Sequence, residues 1–218
     1  MRLDPIRFRG LGQAHREVFI RHAVTVCDEW QLHFVEDVAY VMFVMSFLGS
    51  HFHQDMRYQF LRAELERTPE GADDRIERLR ERFITIGARF IGPRMVLYRR
   101  DLSYFRDHIL PGSRGFSSEK MLAELTASHA ERSYDLHPDQ RALYLRQAQM
   151  AAAGLGFGDA EGLTLSVALA YWLGTGFWKD PLYPWVAEKA RQGGAGAVID
   201  YAMHRLDRQL KTNGDLNG

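Results

Sequence analysis

The stretch Phe47-Leu48-Gly49-Ser50-His51-Phe52-His53-Gln54-Asp55 returns as Trp172-Leu173-Gly174-Thr175-Gly176-Phe177-Trp178-Lys179-Asp180, at an offset of 180 − 55 = 125. Sliding the chain on itself by that amount, without a gap, also pairs Arg16 with Arg141, Arg21 with Arg146, Ala23 with Ala148, Glu36 with Glu161 and Tyr58 with Tyr183. Together with Leu, Gly, Phe and Asp of the motif this makes nine identities between positions 16 and 58, where roughly one position in twenty would match by chance. The pattern predicts an internal duplication, and any fold for the chain has to build the same local structure twice.

Helical periodicity fills the space around the motif. Val18, Phe19, His22, Ala23 and Val26 recur at helical spacing over about 13–29, with charged residues on the other side. After a short link around Trp30 to Phe34 comes an apolar helix at about 35–48, opened by Glu36 and Asp37, whose charge suits a helix N-terminus. Gly49 stands where a helix needs a left-handed terminator and Asp55 where the next helix needs an N-cap acceptor, so the motif reads as a corner between helices. Asp180 is followed by Pro181, favoured at the first helical position. Phe52 and Phe177 are expected to plug the two corners from inside, ahead of helices at about 56–67 and 181–192.

Thr68-Pro69 opens a charged helix to about Phe90 with Ile76, Leu79, Phe83, Gly87 and Phe90 inward, and a further helix follows Gly92-Pro93 at about 94–109. Pro111-Gly112 ends it, 111–117 is the best linker, and a helix at 118–132 follows. The second set of helices runs at about 138–153 and 159–173, the latter capped by Asp159, with a last helix after Gly193-Gly194. No stretch alternates as a strand does. The expected architecture is all-α: two related four-helix units, 13–91 and 138–211, joined by bridging helices in 92–137.

Composition narrows the function classes. Twenty-eight basic residues balance twenty-eight acidic ones, so there is no net field to gather nucleic acid. The longest apolar run, Val38 to Leu48, is eleven residues, against the ~20 needed to cross a bilayer, and no membrane insertion is expected. A single cysteine, Cys27, and an N-terminus broken by charge and Pro5 fit a cytoplasmic protein without a signal peptide.

Catalytic patterns are weak. His51, His53 and Asp55 form H-x-H-x-D, a set of metal-ligand residue types, but such hydrolases draw further ligands from strand ends. The second motif has Gly176, Trp178 and Asp180 at those positions, so only the aspartate is kept and a capping role is favoured over a metal. His15, His22 and His33 lack H-E-x-x-H spacing, Cys27 sits beside Asp28 and Glu29, and Glu36-Asp37 and Asp73-Asp74 are adjacent pairs that point apart on a helix. Gly154, Gly156 and Gly158 do not follow phosphate-loop spacing, and no serine sits in G-x-S-x-G. The expectation is a non-enzymatic protein with no cofactor and no metal. Interest moves to the positions where the motifs differ, His53 and Trp178, with His51 and Lys179 beside them. An exposed loop tryptophan at 178 would be a fitting anchor for a protein partner.

The arrangement of an Arg-bearing first helix, an acidic-started apolar helix and L-G-x-x-F-x-x-D-P-x-x-P-W resembles a small family of uncharacterised helical proteins encoded beside type VI secretion genes, near spike proteins and toxic effectors. Arg146, Glu161, Leu173, Gly174, Phe177, Asp180, Pro181, Pro184 and Trp185 carry it over about 138–210. A degenerate copy at 13–90 lacks both prolines and has Phe60 in the place of Trp185. The resemblance implies a bacterial type VI secretion accessory protein, an adaptor or chaperone whose partner is a secreted effector or a spike protein. A cytoplasmic immunity protein that neutralises a cognate toxin is the alternative, and a metal-dependent enzyme through His51, His53 and Asp55 is the third.

Overall fold

Helix formation follows the apolar periodicity, and in the computed structural model of the chain, described here for residues 11–66, 71–91, 96–128 and 136–215, the fold is all-α, with no strand among the described residues. The helices are α1 (Gln13–Glu29), α2 (Val35–Leu48), α3 (Gln59–Leu65), α4 (Ala72–Ile91), α5 (Val96–Tyr104), α6 (Ser118–Ser128), α7 (Arg141–Gly154), α8 (Ala160–Leu173) and α9 (Pro184–Asp215). α2 packs on α1, α8 on α7, and α6 lies against α8. One hydrophobic core runs through all of them, from Phe19 and Leu61 to Leu125, Tyr144 and Val198.

The 125-residue offset recurs in the helix boundaries. α1 ends at 29 and α7 at 154; α2 spans 35–48 and α8 spans 160–173; α3 begins at 59 and α9 at 184. The ends of α1 and α7 close in the same way. Leu32 N–H donates to Cys27 O and Gln31 N–H to Asp28 O, while Phe157 N–H donates to Ala152 O and Gly156 N–H to Ala153 O. Each is a Schellman turn, which satisfies the last carbonyls of a helix by putting one residue in a left-handed conformation. Gly156 takes it at φ +76°, and Gln31 takes the same place at φ +56°.

Several expected boundaries shift. The helices predicted at 56–67 and 181–192 start later: Met56–Tyr58 is a 3₁₀ turn ahead of α3, and 181–183 are non-helical ahead of α9. Pro111 does not end the preceding helix. α5 passes through a π turn at Phe105–Ile109 and one more turn at Leu110–Gly112, with Pro111 second in that last turn. The signals at Thr68-Pro69 and Gly92-Pro93 and the end of the helix predicted at 118–132 lie outside the described residues. Gly193 and Gly194 are non-helical and divide α9 into two helical arms, so the last helix does begin after them as expected.

The two motifs pack directly on each other. Gly49 (φ +95°, ψ +150°) and Gly174 (φ +99°, ψ +151°) have the same backbone conformation, extended in ψ rather than the left-handed terminator expected, and one that side chains rarely adopt. A Cβ at Gly174 would lie 2.7 Å from Leu48 O, and one at Gly49 would overlap Leu173 O. Both glycines are therefore required twice over, by φ and by the backbone that crosses them.

Candidate functional site

Asp55 and Asp180 hold this crossing by capping each other's corner. Asp55 Oδ2 accepts from Thr175 N–H at 3.1 Å, and Asp180 Oδ2 accepts from Ser50 N–H at 2.6 Å. Their other oxygens cap locally, Asp55 Oδ1 from Arg57 N–H at 3.0 Å and Asp180 Oδ1 from Leu182 N–H at 2.8 Å. Phe52 and Phe177 are fully buried beneath the corners.

Arg57 is a buried charge at this corner, and its local sequence carries no mark of that. Its side chain is 1% exposed. The guanidinium meets both Asp55 oxygens, at 3.0 and 2.7 Å, and donates to Tyr171 O at 2.6 Å and Ala170 O at 2.9 Å at the end of α8. The rings of Tyr58, Tyr144 and Tyr171 surround it at 5.0, 5.6 and 5.0 Å. A buried charge is tolerable when it is paired and its donors are filled, and a cation at a helix C-terminus also meets the negative end of the dipole. The matching position holds Leu182. This is a structural pin between the first corner and the end of α8, and both Asp55 oxygens are engaged in it and in the caps.

The histidines form a cluster beside it. His51 and His53 lie 4.5 and 6.5 Å from the His22 ring by centroid, with Trp30 edge-on to His53 at 5.4 Å. The His22 Nε2 lies 3.1 Å from Ser50 O, and the His53 Nε2 lies 3.2 Å from the Gln54 side-chain amide. Burial, then His22, pushes His51 down to about 3 and His53 to about 4; Lys179 and, for His53, Arg62 act in the same direction. Both rings are neutral at physiological pH. Asp55 faces Arg57 instead of the histidines, and among the described residues no group of three His, Cys, Asp or Glu is arranged to hold a metal. Cys27 is buried and its thiol is pushed up to about 12 by burial and then by Asp37 and Asp28, so it is a packed residue with no thiolate character.

Position 178 is less exposed than the loop reading expected. The Trp178 ring is half-buried and lies on Gly154 at the end of α7, where a Cβ would come within 2.5 Å of the indole. His53 is likewise buried, 6% exposed, against Trp30 near the end of α1. The two positions do the same packing job with different volumes. Of the four residues singled out in the sequence, only Lys179 is exposed; His51 is half-buried.

A different pair faces solvent. Phe34 is the N-cap residue of α2, makes no side-chain cap bond and is 62% exposed; Val35 beside it is 79% exposed. At the matching places in the second unit stand Asp159, whose carboxylate accepts from Gly162 N–H at 2.7 Å, and Ala160. One unit thus has an N-cap bond where the other has an exposed aromatic ring. The signal was available in the sequence, since the 125-residue offset aligns Phe34 with Asp159, but the motif drew attention to the corner instead.

Among the described residues no helix is long and apolar enough to cross a membrane. No family model, curated protein or solved structure matches the chain.

Proposed function

We propose that the protein is a non-enzymatic accessory protein of a bacterial type VI secretion system, an adaptor or chaperone that binds a secreted effector or a spike protein, built on an internally duplicated scaffold. The resemblance of the L-G-x-x-F-x-x-D-P-x-x-P-W segment supplies the secretion context. The observation that carries the binding role is Phe34–Val35: an exposed Phe-Val step occupies a helix start whose counterpart carries a proper cap. Forgoing an N-cap costs about 1 kcal/mol, and an exposed aromatic beside a β-branched residue is a typical anchor of a protein interface.

Capture from the native host with the wild-type chain and with Phe34→Asp tests this reading. Loss of one co-purified secretion protein in the variant, with the fold intact, supports it; an unchanged set of captured proteins overturns the role of the surface. Co-expression separates adaptor from immunity protein. An adaptor leaves cells expressing the toxin intoxicated yet is needed for secretion, whereas an immunity protein rescues them.

A further inference from the structure

The α9 bend builds a recess that the corner motif does not use. Trp185 and Tyr201 are sixteen residues apart, which in a straight helix is about 24 Å, yet their rings meet at a centroid distance of 5.3 Å. Gly194, at φ +63° and ψ −153°, supplies a turn that residues with a side chain rarely adopt. The two arms of α9 and the residues leading into α1 enclose a recess of about 490 Å³, a size that suits a small ligand or two or three side chains. Leu11 and Leu182 line it with Trp185 and Tyr201.

Two arginines and one glutamate set its charge. The Arg205 guanidinium lies 5.5 Å over the Trp185 ring, and Arg191 and His15 also line the recess. Glu188 is the acidic residue there, and Gln192 and Lys189 already meet its carboxylate at 3.2 and 3.9 Å. Arg191 donates to Ala187 O at 3.2 Å, and neither guanidinium has a carboxylate partner among the described residues. Trp185 is 5% exposed, and its indole N–H, a donor only, has no acceptor.

We propose that this recess binds a carboxylate carried on an apolar or aromatic body. The apolar body lies along the partly exposed Tyr201, and the carboxylate is taken by Arg205 and Arg191, whose planar forks match its two oxygens. A free aromatic acid and a peptide ending in an aromatic residue share this chemistry. The site is separate from Phe34–Val35 and does not depend on the secretion reading.

Ligand-observed NMR on the full chain tests it with phenylacetate, phenylacetamide, acetyl-Gly-Ser-Phe and the amide of that peptide. At least one acid is expected to bind saturably, and its amide about tenfold or more weakly. Arg205→Gln should weaken binding by a similar factor, Arg191→Gln several-fold, and Glu188→Gln should tighten it. Tighter binding by phenylacetate assigns the site to a free acid, tighter binding by the peptide to a chain terminus. Arg191 and Glu188 are exposed, so those variants decide the matter even if Arg205→Gln disturbs folding. No saturable binding by either acid at about 10 mM, equal binding by acid and amide, or affinities indifferent to all three substitutions would overturn the proposal.

Discussion

The imidazole of His51 lies directly on Gly176, the residue 125 positions further along the chain, so that a Cβ on Gly176 would come 2.5 Å from His51 Cβ and 2.6 Å from two ring carbons. The two equivalent positions of the motif face each other where the corners cross, and there is room for one side chain between them. Large on one side obliges small on the other. Gly176→Ala is expected to destabilise the protein by about 1–3 kcal/mol through overpacking. His51→Gly combined with Gly176→Ala should recover part of that loss. Urea midpoints for the two single variants and the pair give the coupling; strictly additive losses would mean that the two sites do not share a space.

Asp55→Asn tests the pin. The substitution keeps an acceptor for the caps but removes the charge opposite a guanidinium that is 1% exposed. Breaking a buried ion pair from one side costs about 3–5 kcal/mol, because the remaining charge stays buried without compensation. Arg57→Met, which leaves the Asp55 carboxylate without its cation and the Tyr171 and Ala170 carbonyls without these donors, should be comparably severe. A loss under about 1 kcal/mol for either in urea denaturation, the level of an exposed pair, would show that water reaches the pair.

Gln31→Gly should work in the opposite direction. Gln31 sits at φ +56° in the turn that closes α1, where the equivalent turn after α7 has Gly156 at φ +76°. A left-handed conformation costs a residue with a Cβ about 1–2 kcal/mol relative to glycine, and the entropy glycine brings to the unfolded chain offsets part of it. The net expectation is a gain of about 0.5–1 kcal/mol, read as a rise in melting temperature of about 1–4 °C for a chain of this size. A lower melting temperature would place Gln31 in some other stabilising contact.

These contrasts show what was legible in advance. Helix ends depend on neighbours in sequence, so Glu36, Gly49, Asp159 and the 125-residue offset located α2, α8 and both corners. The pairing of the corners was not legible. The bonds from Ser50 to Asp180 and from Arg57 to Tyr171 join residues 130 and 114 apart, and no local pattern specifies such a partner. The sequence around Arg57 carries no mark of its burial for that reason. Trp178 looked exposed because a loop position implies solvent, and only the absence of a side chain at Gly154 makes the room that the indole fills.

The histidine cluster gives the stability a pH dependence of known sign. In the folded state His51 is held down at about 3 and His53 at about 4, whereas the unfolded chain titrates near the ordinary value of about 6.5. Between these values the unfolded state binds more protons, so stability is fully present above pH ~6.5 and falls as the pH drops toward 4. The rings are not fully enclosed, and solvent discounts the effect to an order of 2 kcal/mol at pH 5, or about 4–8 °C in melting temperature. His51→Gln with His53→Gln should flatten the profile in that window. An equally steep fall in the double variant would assign the acid sensitivity to carboxylates instead.

Phe34→Asp sets stability against binding within one substitution. In the second unit an aspartate at this place accepts the Gly162 amide and caps α8. Installed at position 34, it should cap α2 and stabilise the protein by about 0.5–2 kcal/mol, offset slightly by Glu36 and Asp37 in the same first turn. An exposed phenylalanine contributes little to a folded monomer, so nothing comparable is lost. If the ring at 62% exposure instead anchors a partner, the same variant loses at least about 1–2 kcal/mol of binding, tenfold or more in affinity. Melting curves and capture on the same preparations should therefore move in opposite directions. A variant that is less stable would show that the ring packs on its own chain, and one that is more stable with capture unchanged would leave Phe34 without a part in the interface.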